Sequence, residues 1–419
     1  MTARWPTHRV GGYLALVLVG LVGSLVAGRP EPVLLVAPFA VVLAVGIGLT
    51  SGATPPRVEA VMSAERTVEG EPVDLELQAS QPPAGWSQDI TVELPPELHR
   101  ARASYGKDGG TVTVPLTPIR WGVHRVGRVA VRRRDPMRLF VTETHATPSA
   151  TLRTYPSSAR LRSVVEAADV QARAGNQRSR SRGDGIEFAD LRPFTPGDRA
   201  RSVNWRATAR RGDLWVNVEH PERSADTILL LDTFGEKSAA TRLESLDEAV
   251  RIVASLAAAY QARRDRVGLL TFGGRLRWLG PGLGERQLYR VVDSLLDTEA
   301  LLTDAWQEAA KVPIGVIPPR ALLLAVTPLQ SDTSEDTLVD LRTRGFDVGV
   351  VMVRVPEGVP TTDEATLLAR RLDLLERHTR RLRLERFGIG VGEVPPSGAV
   401  EQAVMEVELW RRRLPRVRA

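Results

Sequence analysis

Residues 187–210 hold an unusual density of side chains that could do chemistry. Glu187, Asp190 and Asp198 supply carboxylates, while Arg192, Arg199, Arg201, Arg206 and Arg210 supply guanidinium groups. Phe188, Phe194 and Trp205 stand among them, and Pro196-Gly197-Asp198 has the composition of a tight turn. Three carboxylates in one segment could act as general acid and base, in the manner of a metal-dependent hydrolase. So many arginines between the acids favour a structural ion-pair lattice instead, because each guanidinium presents a rigid fork of donors. Arg and Trp are also the side chains that most often anchor protein interfaces. The expectation is therefore an interaction motif, and no residue is assigned a catalytic role.

The rest of the chain offers little competing chemistry. With no Cys, it has no thiol nucleophile, disulfide or thiolate metal site. His8, His99, His124, His145, His220 and His378 are scattered, and no His-Glu-x-x-His, Gly-x-Ser-x-Gly or phosphate-cradling loop is present. His220, next to Glu219 and near Glu222, reads as part of an exposed polar loop. Gly388-x-Gly390-x-Gly392 runs into Pro395-Pro396 where a dinucleotide site needs a helix. Residues 171–182 are Arg-rich and lack an acid, which suggests a mobile basic loop. Arg178, Arg180 and Arg182, with Arg206, Arg210 and Arg211, leave a membrane-tethered nucleic-acid binder as an alternative. The acids nearby and the lack of a recognisable nucleic-acid module weigh against it.

The elements that must position these groups fall into four stretches. In residues 1–52, uncharged runs at 10–27 and 32–49 flank Gly28-Arg29-Pro30-Glu31, which predicts a two-helix transmembrane hairpin. Arg4 and Arg9 before it, and Arg57 and Arg66 after it, put both termini in the cytoplasm by the positive-inside rule. The expected location is the inner (plasma) membrane, crossed twice. In residues 55–150, strictly alternating segments such as 73–77 and 90–94 predict a small antiparallel β-sandwich, with Trp86 and Trp121 in its core or at a sheet edge. Arg132-Arg133-Arg134 reads as a solvated strand end, with lipid headgroups as the alternative. Residues 151–225 carry the basic loop and the motif. Residues 226–419 alternate apolar strands and helices, among them a helix at 364–380 and a strand at 384–389, and predict a doubly wound α/β domain. The formal charge of +6 comes from 56 basic residues, of which only Lys107, Lys237 and Lys311 are lysines, against 50 acidic ones. Its arginines are placed at the membrane flanks, the loop, the motif and the C-terminal tail.

The run Glu187-Phe188, Leu191-Arg192-Pro193-Phe194, Pro196-Gly197-Asp198, Arg201, Asn204-Trp205-Arg206-Ala207 and Ala209-Arg210 closely resembles the defining motif of the bacterial domain-of-unknown-function 58 family. Residues 121–127 and 134–140 upstream, and 267–273 and 281–284 downstream, resemble that family's flanking segments. The resemblance implies two N-terminal membrane spans, a β-rich segment and a domain like von Willebrand factor A. It also implies a MoxR-type AAA+ ATPase as partner, in assembly or maturation of a protein complex, with no cofactor of the chain's own. In the factor-A fold an Asp-x-Ser-x-Ser loop binds Mg²⁺. Here the corresponding residues are Asp232-Thr233-Phe234-Gly235-Glu236, so Phe234 removes one oxygen ligand outright. Asp232, with Glu236, is the expected ligand set if the degenerate site binds metal.

Overall fold

A computed structural model describes residues 2–51, 56–101, 103–105, 110–166, 187–195, 203–220, 226–233, 239–272, 276–296, 315, 317–354 and 363–413. The chain divides into two units, Met1–Ser157 and Ser158–Ala419.

The first unit opens with strand β1 (Thr2–Pro6), then helices α1 (His8–Ala27) and α2 (Glu31–Ser51). Both helices are long and apolar enough to cross a membrane. Gly28 closes α1 in the left-handed conformation, at φ 63°, with its N–H donating to the Ser24 carbonyl. The helices approach each other at Gly20, where a Cβ would collide with Val36.

Strands β2 (Val58–Met62), β3 (Arg66–Val68), β4 (Val73–Ala79), β5 (Ser87–Val92), β6 (Leu98–Arg100) and β7 (Ser104–Tyr105) follow. They are completed by β8 (Thr111–Pro118), β9 (Gly122–Arg125), β10 (Val129–Arg134), β11 (Phe140–Ala146) and β12 (Thr151–Tyr155). One sheet runs β2-β4-β8-β6, with β7 also on β8, and another runs β1-β11-β10-β5. A three-stranded sheet, β3-β12-β9, completes the unit. Every second residue of β4 and β8 is buried. Leu75, Leu77, Val114 and Leu116 from that sheet share one core with Ile90, Val129 and Val131 from the next. Trp121 is buried, with its backbone N–H donating to the Glu69 carboxylate at 2.9 Å.

Two features depart from the sequence reading. Residues 2–6 form a strand, antiparallel to β11, with Thr2 opposite Thr144 and Pro6 opposite Phe140. Thr-Ala-Arg-Trp-Pro has no pattern that marks a strand, and the ladder of β11 supplies what the local sequence lacks. The second departure lies in the arginine run: Arg132 and Arg134 stay partly solvated at the strand end, in ion pairs, but Arg133 is buried. Arg132 pairs with Glu143 at 2.9 Å and Arg134 with Asp89 at 2.6 Å. Alternation along β10 turns Arg133 inward, where it donates to Gln88 Oε1 at 2.7 Å and to the Ser80 carbonyl at 2.6 Å.

The second unit holds strand β13 (Glu187–Pro193), helix α3 (Trp205–Arg211) and strand β14 (Trp215–His220). Then come β15 (Asp226–Asp232), α4 (Ala239–Ala262), β16 (Arg266–Phe272), β17 (Arg277–Gly282), α5 (Glu285–Leu296) and β18 (Leu322–Thr327). Helix α6 (Asp332–Thr343), β19 (Asp347–Met352), α7 (Glu364–Arg386), β20 (Gly390–Glu393) and α8 (Val400–Arg413) end the series. The six-stranded sheet has order β17-β16-β15-β18-β19-β20, parallel except for the β16–β17 pair. Val348, Val350 and Val391 face one way, into a cluster with Leu338 and Leu341 of α6 and Leu384 of α7. Gly349 and Gly392 face the other way, onto Val407 and Ala403 of α8. Helices therefore cover both faces, and the strands read as nearly unbroken apolar runs for that reason.

The strand expected at 384–389 is instead the end of α7, which runs on to Arg386 and buries Leu384. Gly388, at φ 79°, turns the chain, and the edge strand follows at 390–393. A short apolar run does not by itself distinguish strand from buried helix.

At Gly392 a Cβ would collide with the backbone carbonyl of Ala403 on α8, and no side-chain movement relieves a backbone contact. Gly392→Ala should destabilise the protein by about 1–3 kcal/mol, as overpacking does elsewhere. A shift of the denaturant midpoint to lower concentration would check this.

Candidate functional site

The motif builds a small unit of its own. Strands β13 and β14 pair antiparallel, with Glu187 opposite His220, Arg192 opposite Val216, and a bulge between Phe188 and Asp190. Helix α3 lies between them in sequence, and Asn204 joins it to β14. Its N–H donates to the Trp215 carbonyl at 2.8 Å. Its side-chain oxygen accepts the Ala207 N–H at 2.9 Å, which caps the helix, and its amide nitrogen donates to Asn217 Oδ1 at 2.8 Å. Thr208 Oγ1 accepts the Trp215 N–H at 3.0 Å. Gly212, at φ 82°, ends the helix, and the Arg211 guanidinium lies 4.0 Å from the centre of the Trp215 ring.

This lock leaves the other side chains of α3 to solvent. Trp205 is 68% exposed, and Arg206 and Arg210, one turn apart, are exposed as well. Arg192 donates to Thr195 Oγ1 at 2.9 Å and to the Pro193 carbonyl at 3.1 Å. Glu187, Phe188 and Asp190 are placed by their backbone in β13, whereas Pro196, Gly197, Asp198 and Arg201 lie outside the described residues. So does the basic loop at 171–182. Asn217, Thr208 and Trp215 are partners that the sequence reading did not single out. The alternation Trp215-Val216-Asn217-Val218 was the available signal for the returning strand.

The carboxyl ends of β15 and β18 form a topological switch point, because the chain leaves central β15 for β16 on one side and later for β18 on the other. Asp232 ends β15 and Thr327 ends β18; both are buried. The Thr327 hydroxyl donates to Asp232 Oδ2 at 2.5 Å and accepts the Leu329 N–H at 2.8 Å. Leu329 takes φ 51°, which turns the chain directly after the strand. On the next residue after Asp232, the Thr233 N–H and Oγ1 both donate to the Phe272 carbonyl at 2.8 Å. Glu236 and Phe234 lie outside the described residues. Among the described residues no group of three or more His, Asp or Glu is placed to hold a metal ion.

Beside this point, Arg377 of α7 is buried and donates to the Val353 carbonyl at 2.8 Å and the Pro328 carbonyl at 3.1 Å, just past β19 and β18. Burial pulls its guanidinium below the ordinary arginine range. Glu335 of α6 is buried too, with Arg383 Nε 3.1 Å from Oε1, too misaligned for a hydrogen bond. Burial pushes its carboxyl above the usual glutamate range, and the positive charges of Arg383 and Arg380 pull it partly back. Glu335 and Arg383 tie α6 to α7, and Arg377 holds the residues just past β18 and β19.

Residues 190–355 match the family described as "Protein of unknown function DUF58", which shows the resemblance carried by the motif. The matched span takes in most of the motif and the sheet through β19. "Uncharacterized protein YeaD" of Bacillus subtilis (strain 168) is 24% identical over 163 residues, 39% of each chain. The chain thus spans about two-fifths of the length of the curated relative it matches. Among solved structures, the adhesin FdeC of Escherichia coli aligns over 32% of this chain and 37% of its own, at 13% identity and a TM-score of 0.17, too slight a likeness to argue from.

The Asp232–Thr327 bond generates a prediction. Thr327→Val keeps the shape but leaves a buried carboxylate oxygen without that donor, which should cost about 1–3 kcal/mol. Thr327→Ser restores the hydroxyl and should recover most of the loss. Thermal melts of the two variants would separate the outcomes.

Proposed function

We propose that this chain is a membrane-anchored docking protein that works with a MoxR-type AAA+ ATPase in assembly or maturation of a protein complex. The hairpin α1–α2 is the anchor, the β-sandwich a spacer, and the α/β unit, read as a factor-A-like domain, presents the docking face. The observation that carries this reading is Trp205. A large aromatic ring, exposed on a helix that Asn204 holds rigidly and flanked by Arg206 and Arg210, has the composition of an interface hot spot. A fixed platform also spares the ordering cost that weakens flexible docking segments.

The reading assigns the chain no catalysis and no cofactor. The switch point, where a factor-A domain would bind Mg²⁺, has one Asp232 oxygen already engaged by a threonine hydroxyl, and Phe234 stands where a second hydroxyl ligand would be needed. The energy for remodelling would then come from the ATPase.

Two tests follow from this. Cross-linking the full-length protein in its native membrane, with and without ATP, should capture an AAA+ ATPase, and Trp205→Ala should lower the yield about tenfold or more, the scale of a lost hot spot. Capture of no AAA+ ATPase under either condition overturns the proposal. The second test concerns topology. The reading puts both flanks of the hairpin on one side, and the pairing of β1, ahead of α1, with a strand beyond α2 supports it. The reading takes that side as the cytoplasm of the inner (plasma) membrane, which the positive flanks support. A reporter fused after Ala419 should be active only in its cytoplasmic form.

A further inference from the structure

Helix α7 has 23 residues, about 34 Å of helix, yet among its side chains only Arg377 and Leu384 are buried. Leu367, Leu368, Leu372, Leu374, Leu375 and Leu382 are 40–63% exposed. Their placement is not random. Leu368, Leu375 and Leu382 recur every seven residues, and Ala365, Leu372 and Thr379 fill the alternate positions of the same stripe. Nine residues, two and a half turns, separate Leu368 from Arg377 and Leu375 from Leu384. The leucine stripe therefore lies diametrically opposite the side that packs on the unit. Among the described residues the stripe stays exposed, and its spacing is the pattern by which one helix receives another.

We propose that α7 pairs, parallel and in register, with α7 of a second copy of this chain. Leucine at the three d positions, Leu368, Leu375 and Leu382, is the residue that two-stranded parallel coils carry there, and Thr379 adds one β-branched residue at an a position. In register, Leu368, Leu375 and Leu382 each meet their twin. Arg371 lies beside the stripe on one flank and Glu376, five residues on, lies on the other; this is the relation that forms interhelical ion pairs in parallel coils. Both are exposed, and Glu376 only approaches Arg380, at 3.9 Å, within its own chain. Antiparallel copies centred on Leu372 and Leu375 would set Leu368 against Thr379 and Glu364 against Glu385, replacing an apolar layer and adding like charges. The face thus complements itself in one orientation. This pairing is independent of the proposed ATPase, since it uses α7 and not α3.

The full-length protein in detergent or nanodiscs supplies the test, helped by its lack of native cysteine. Light scattering should give twice the mass of one chain. On mild oxidation Leu368→Cys, Leu375→Cys and Leu382→Cys should each form a disulfide-linked dimer, at least about tenfold above Thr343→Cys, an exposed position on α6. The double variant Leu372→Glu/Leu375→Glu should halve the mass while keeping the helical circular dichroism signal. A single-chain mass for the unaltered protein, or cross-linking no higher than Thr343→Cys, overturns the proposal. Cross-linking at Leu375 without Leu368 and Leu382 overturns the parallel register. In native membranes, disulfide-independent cross-links from this face to a different protein alone would assign it to another chain's helix and overturn self-pairing. The cysteine series holds even if the double variant misfolds.

Discussion

Five residues ahead of the first helix, hydrogen-bonded along β11, tie the apolar hairpin to the folded chain beyond it. Strand β11 would otherwise be a bare sheet edge, with unpaired backbone groups and a tendency to pair with other chains. Strand β1 satisfies that edge, and it continues into α1 after only Thr7, whose N–H and hydroxyl donate to the carbonyls of Leu139 and Arg138. From the other direction α2 meets the same corner. Leu139, wholly buried, lies against Leu43 and Gly46, where a Cβ would come within 2.6 Å of its methyl group. The turn that presents Leu139 is held by Asp135, whose carboxylate accepts the N–H groups of Phe140 at 2.7 Å and Met137 at 3.1 Å. Both ends of the hairpin are thereby gripped by one corner of the β-sandwich. A hairpin held so could not swivel independently of the domain it carries.

The second unit applies the same economy of polar groups to a different end. Open α/β sheets place their ligand crevice where the strand order reverses, beyond the carboxyl ends of the strands. Here the described residues at those ends bond to one another: Thr327 to Asp232, Thr233 to the Phe272 carbonyl, and Arg377 across the carbonyls past β18 and β19. A buried arginine is costly unless its donors are used, and Arg377 spends them on backbone acceptors that the strand ends would leave bare.

The sequence revealed most where a pattern was periodic over many residues. The strict alternation of 73–77 and the apolar strands 226–232 and 321–326 reflect burial on one or two faces, the two apolar runs reflect helices long enough to cross a membrane, and the structure places strands or helices at all of them. It revealed least where a partner distant in sequence decides the conformation. Residues 2–6 are a strand because β11 is there, and Arg133 is buried because Gln88 and the Ser80 carbonyl receive it. Residues 384–389, Leu-Glu-Arg-Phe-Gly-Ile, are too short a pattern to fix a period; the burial of Leu384 under the sheet decides for helix as far as Arg386. In the motif, Arg and Trp drew attention by their charge and size, while the residue that fixes the geometry is the less conspicuous Asn204. Its role depends on Trp215 and Asn217, more than ten residues later, so nothing local discloses it.

Exposed apolar side chains carry the remaining weight, and their meaning depends on what lies behind them. A leucine scattered singly on a surface needs no account. Trp205 and the α7 leucines differ because each sits on a helix whose opposite side is committed: α3 through Asn204 and Thr208 to β14, α7 through Arg377 and Leu384 to the sheet. Neither helix can rotate to hide its apolar side without breaking those bonds, and in α7 the broken bonds would strand a buried guanidinium. The internal contacts therefore hold the two apolar surfaces outward, in fixed orientations. That arrangement is unfavourable in water and becomes favourable once another surface covers it.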